Sequence, residues 1–142
     1  MNNQKSSLSV WNSTSQTIVT NSSLNFLNYQ KTGCSIKFNS GSASINLAKP
    51  GLYYVTLSAT GVEGGTAGDI TIQMFNNGIA VPGATASENS ATTTSIVNLG
   101  FSSIILVKPS CPTTSNSSVL TFVNTGVGAT YSNVIANVFK LA

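Results

Sequence analysis

The sequence predicts an all-β protein, an antiparallel two-sheet sandwich of jelly-roll type, on three observations. Helical periodicity is almost absent. Short alternating or apolar runs recur instead between turn residues. About eight such runs fit within one domain's length of chain, the number a jelly roll needs.

Taken in order, Ser35 to Phe38 and Ser44 to Leu47 read as short strands around the NSGSAS turn. Leu52 to Thr60 is the next, with Tyr53, Val55, Leu57 and Ala59 on one face and Tyr54 sent to the other by strand alternation. Gly51 lets the chain turn tightly into it. Asp69 to Phe75 alternates cleanly, with Ile70, Ile72 and Met74 on one side and Asp69, Thr71 and Gln73 on the other.

Asn76, Asn77 and Gly78 then form a hairpin turn, because Asn and Gly tolerate positive φ. The return strand is expected over Ile79 to Val81, ended by Pro82 and Gly83. Thr94 to Val107 carries apolar residues on both faces near its end, which predicts burial on both sides. Val119 to Val123 and Asn133 to Leu141 complete the set. Residues 1–30 are polar with apolar side chains dotted through them, and are expected to form an N-terminal arm or early strands ahead of a jelly-roll domain at 31–142.

Composition narrows the function. Of 142 residues, 41% are hydrophobic and only 6% charged, so Ser, Thr, Asn and Gly must make the surface. A neutral surface of that kind suits an extracellular particle or a subunit covered in an assembly. There is no histidine and no arginine, which removes the commonest general base and the bidentate phosphate clamp. The net charge of +3 comes from six lysines spread along the chain against Glu63, Asp69 and Glu88. With no basic stripe in the sequence, no nucleic-acid partner is expected.

The opening MNNQKSSLSVWNSTSQT lacks the apolar stretch of a secretory signal, and the longest apolar run, Ile104 to Val107, is too short to span a bilayer. Without export, the sequons at Asn12, Asn21 and Asn116 are products of an Asn/Ser/Thr-rich composition. Cys34 and Cys111 have no metal-ligand spacing; a disulfide and two buried thiols are both open.

The candidate chemical motifs are weak. GVEGGTAG, residues 61–68, lacks the Lys-Ser/Thr of a phosphate-binding loop and precedes a strand, so it reads as an inter-strand loop. Glu63 and Asp69 lack the dense acidic pattern of a calcium loop, and no metal or cofactor is expected. The abundant serines have no base, and KTGC at 31–34 has none of the companion motifs of a serine enzyme. A sugar platform among Trp11, Tyr29, Tyr53, Tyr54 and Tyr131 is the remaining option, with Trp11 and Tyr54 the candidate glycan contacts.

The run LAKPGLYYVTLSAT, residues 47–60, resembles the Gly-x-Tyr-x-hydrophobic strand of the C1q/TNF-like jelly roll, with Gly51, Tyr53 and Val55 at the matching positions. GDITIQMFNNGIAVPGATAS is similar to the hairpin in the C-terminal domain of the collagen-like glycoprotein of Bacillus spores and in small bacterial and prophage proteins of the same shape. The likeness covers about residues 33–142 in strand order and turn placement. The chain lacks the collagen repeats of the spore protein and the charged receptor loops of the cytokines.

The resemblance implies a homotrimer in which one sheet of each protomer faces the threefold axis and buries aromatic and aliphatic side chains. Tyr53, Tyr54, Val55, Leu57, Phe101, Ile105, Phe122 and Phe139 are the residues expected in core or trimer packing. The function expected is a non-enzymatic structural protein of a bacteriophage virion: a trimeric head fibre, capsid decoration or tail-associated protein, its partners being itself and the larger particle. The alternatives are a spore or cell-surface trimer and a carbohydrate-binding adhesion module that contacts a host-surface glycan.

Overall fold

A computed structural model of the protein describes residues 5–63, 65, 67–90, 96–109 and 118–142. Cys111 and Asn116 lie outside them. The described residues form twelve strands in two antiparallel sheets and contain no helix.

The front sheet orders β10 (Val97–Val107), β7 (Gly51–Glu63), β12 (Ala129–Lys140), β1 (Ser7–Asn12) and β4 (Asn28–Thr32), with β2 (Gln16–Ile18) also on β12. The back sheet orders β5 (Ile36–Lys37), β6 (Ile45–Leu47), β11 (Ser118–Asn124), β8 (Gly68–Asn76) and β9 (Ile79–Ser90), with β3 (Ser22–Ser23) on β11. Neighbours distant in sequence dominate this pairing, as jelly-roll winding requires.

Alternation builds the core. Leu8 and Val10 of β1, Tyr53, Val55 and Leu57 of β7, and Ala136 and Val138 of β12 point inward from the front. Ile70, Ile72 and Met74 of β8, with Leu120 and Phe122 of β11, meet them from the back, all fully buried. Phe122 takes Phe26 edge-on at a ring distance of 6.0 Å and Phe101 at 6.2 Å, so one aromatic joins the two layers.

Residues 5–30 carry strands β1, β2 and β3 and the start of β4. Leu8, Val10, Ile18, Leu24 and Phe26 are buried in the shared core, and β4 crosses the expected boundary at residue 30. Strand β1 supplies a full register of pairs to β12 on one side and β4 on the other. The dotted apolar residues are the inward positions of a polar-faced strand.

Pro82 and Gly83 do not end the return strand either. Gln73 pairs with Thr85 while Phe75 pairs with Ala80, so residues 81–84 bulge opposite Met74, with Ala84 buried, and the ladder resumes beyond them to Ser90. Gly83 supplies the positive φ of 81° for this excursion. The Gln73 side-chain amide fills the gap, its Nε2 donating to the carbonyls of Val81 (2.8 Å), Ala84 (3.2 Å) and Met74 (2.9 Å).

Tyr53 closes the lower end of the core. Its ring is buried and its hydroxyl donates to the Lys49 carbonyl at 2.6 Å. Burial pushes the phenol pKa up. Tyr53→Phe is expected to lower stability by about 1 kcal/mol, the net worth of one such bond, readable as a shifted urea midpoint at unchanged slope.

Candidate functional surface

Two places in the molecule concentrate polar or apolar groups beyond what packing alone needs. The first is internal. Asn124, the last residue of β11, is fully buried; its Nδ2 donates to the carbonyls of Ile18 and Val127, each at 2.9 Å. Its Oδ1 accepts from the Tyr131 hydroxyl at 3.1 Å and from the Gly126 N–H at 3.3 Å. Every hydrogen-bonding position of the amide is therefore used, and burial drives the Tyr131 pKa strongly upward. A phenol held neutral by burial is no base, and this cluster is a tie between the two sheets.

The second is the outer face of the front sheet, set by register. Ile104 lies opposite Tyr54, which lies opposite Phe139, which lies opposite Ser7. One row nearer the chain ends, Leu106 faces Leu52. Together with Leu141 they form an apolar band in which Ile104 is 56% exposed, Leu106 54% and Phe139 45%.

Above the band runs a polar row, Ser102, Thr56, Asn137 and Ser9, in which Asn137 Nδ2 donates to Thr56 Oγ1 at 3.3 Å. Then come Gly100, Ser58, Ile135 and Trp11, and beyond them Asn98 accepts from Thr60 Oγ1 at 2.9 Å. None of these residues is charged. Such a face can be covered without stranding an ion, and its hydroxyls and amides already pair with one another.

The predicted residues divide between the two sides of this sheet. Tyr53, Val55, Leu57, Ile105 and Phe122 are buried core, and Phe101 packs on the core half-buried. Tyr54 and Phe139 lie on the outer face. The long strand is not buried on both sides within one chain: β10 alternates, with Ile105 inward and Ile104 and Leu106 outward. Leu52, Ile104, Leu106 and Leu141 are not among the residues expected in core or trimer packing, although the unbroken apolar run Ile104–Val107 puts side chains on both faces of β10.

The paired glycan contacts are not brought together. Trp11 is opposite Ile135, which faces Ser58, four residues along β7 from Tyr54 and with β12 between. Trp11 instead borders a shallow hollow with Asn12, Asn133 and Ile135, where the positive φ of Asn133 accompanies a register shift in β12. At the other end Cys34 is exposed and its Sγ lies 3.2 Å from Lys49 Nζ. Asp69 Oδ1 accepts from Asn89 Nδ2 at 2.9 Å.

No protein-family model and no curated protein matches this sequence. The fold itself is widely shared. Murine APRIL superposes with a TM-score of 0.67 over 97% of this chain and 100% of that one, at 10% identity. Eiger TNF from S. frugiperda gives 0.64 over 96% and 92% at 11% identity. PRD1 vertex protein P5 gives 0.60 over 99% and 100% at 15% identity. The protein is thus an all-β, TNF-like jelly roll; at these identities the likeness is one of fold.

Proposed function

We propose that the protein is a non-enzymatic structural subunit of a bacteriophage virion, a homotrimer assembled through the outer face of the front sheet and mounted as a head fibre, decoration or tail-associated protein. The observation that carries this reading is the charge-free face with its apolar band of Leu52, Tyr54, Ile104, Leu106 and Phe139. Exposed apolar area of this continuity marks an interaction site, and a neutral face can pack against further copies of the same chain without charge repulsion. The full-length likeness to a vertex protein supports the particle. The absence of histidine from the sequence and the fully occupied Asn124 amide support a role without catalysis.

Mass spectrometry of purified virions is expected to detect the chain in copy numbers divisible by three. Its recovery from spores or cell envelopes, and not from virions, overturns the virion assignment and favours a bacterial surface trimer.

A further inference from the structure

The six lysines, dispersed in sequence, converge in space. Gly51 opens β7 two residues after Lys49 and pairs with Val107, which Lys108 follows. Lys140 opposes Tyr53, and Lys31 opposes Leu8 just inside the start of β1, which Lys5 precedes. Lys37 pairs with Asn46, one residue from the Leu47 to Ser118 pair that closes the same end of the back sheet. Every lysine therefore sits within a residue or two of one end of the sandwich.

The three acids sit at the other. Glu63 ends β7, Asp69 is the second residue of β8, and Glu88 opposes Ile70. The 13 residues of β7 separate the two ends, a span of about 40 Å at ~3.3 Å per residue. Screening acts over about 8 Å at physiological salt. Lys140 Nζ donates to the Ala142 oxygen at 3.1 Å, but the side-chain acids are remote from the other five lysines, so the small net charge of +3 conceals one positive end.

We propose that this lysine end is a docking face for a linear anionic polysaccharide, a sugar chain carrying sulfate, phosphate or carboxylate groups. Three features select that occupant. The cations are all lysines, point charges without the fork that reads a single carboxylate or phosphate by geometry, so they recognise density of charge. Lysine is depleted in the cores of protein interfaces, which argues against an acidic protein.

The groups between the lysines are hydroxyls and amides suited to sugar. Ser7 and Thr32 share a hydrogen bond of 2.9 Å on the wall of an open groove that runs from Lys5 and Lys140 toward Gln30 and Lys31. Phe139 and Leu141 of the apolar band also line this groove, so the docking face borders the surface proposed for trimer assembly.

The test is binding of the full chain to dextran sulfate, with uncharged dextran as the control. Binding to dextran sulfate alone is expected at about 50 mM salt, falling about a hundredfold by about 200 mM if four lysines displace counterions. Lys5→Gln, Lys31→Gln, Lys37→Gln and Lys108→Gln together are expected to weaken it at least about tenfold at unchanged melting temperature, the Lys5→Gln/Lys31→Gln pair falling between, while Glu88→Gln leaves it unaltered. Absence of binding at low salt, equal binding by the lysine variants, or tighter binding of single-stranded DNA or polyglutamate of matched charge overturns the proposal.

Discussion

Tyr54→Asp combined with Ile104→Asp is expected to leave a folded chain of 14.6 kDa where the parent scatters light as three such chains. The two side chains are directly opposed across β7 and β10 and point away from the core, so the fold is spared. Each apolar side chain covered by a neighbour contributes roughly 1.5–3 kcal/mol, whereas a carboxylate enclosed there without a partner costs several kcal/mol, and the threefold arrangement repeats that cost in every copy. A parent that is itself monomeric at micromolar concentration, or a double variant that keeps the parent's mass, would falsify assembly through this face. The matching change on the other side of the same strand, Ile105→Asp, is expected to abolish folding, which separates inward from outward positions.

The largest stability effect is expected at Asn124. Asn124→Ala removes an amide that serves the Ile18 and Val127 carbonyls, the Tyr131 hydroxyl and the Gly126 N–H, leaving two buried and two part-buried groups without that partner. The cost is roughly 3–4 kcal/mol, or about 10 °C in melting temperature for a chain of this size. A loss below about 1 kcal/mol would mean that the site rehydrates freely.

The same cluster sets the alkaline limit. Tyr131 has its pKa raised by burial from the ordinary 10.0, so the folded chain holds its proton where the unfolded chain has released it. That contribution is complete below the unfolded value of 10.0 and is lost as pH climbs above it toward the folded value. Unfolding free energy is thus expected to fall steeply above pH 10.0, and Tyr131→Phe to flatten the decline while costing about 1 kcal/mol at neutral pH.

The sandwich was legible because its pairing follows rules local to each strand. Ile70, Ile72 and Met74 announced a half-buried strand, and Asn77 and Gly78 do take the positive φ values, 52° and 80°, that their hairpin requires. What stayed hidden depended on partners distant in sequence. Strand β9 survives Pro82 and Gly83 because the Gln73 side chain holds the excursion, and no local pattern reports on a side chain eight residues away. Strand β1 reads in sequence as either a polar arm or an early strand because half its residues are serine and asparagine; pairing with β12, more than a hundred residues later, makes it interior. The convergence of lysines is also a product of winding, since each lies near a strand end and the topology alone decides which ends meet.

The four sheet edges carry a consequence for how the protein is made. Strand β4 has Lys31 in its short run, β5 is two residues long and ends in Lys37, and β9 carries Pro82, an excursion and Glu88. All three are blunted against stray strand pairing. Strand β10 runs for 11 residues as VNLGFSSIILV, with neither charge nor proline. Newly made chains therefore face a kinetic competition at this one edge, between correct assembly and aggregation, and high yield should depend on synthesis slow enough, or cool enough, for partners to arrive before strays.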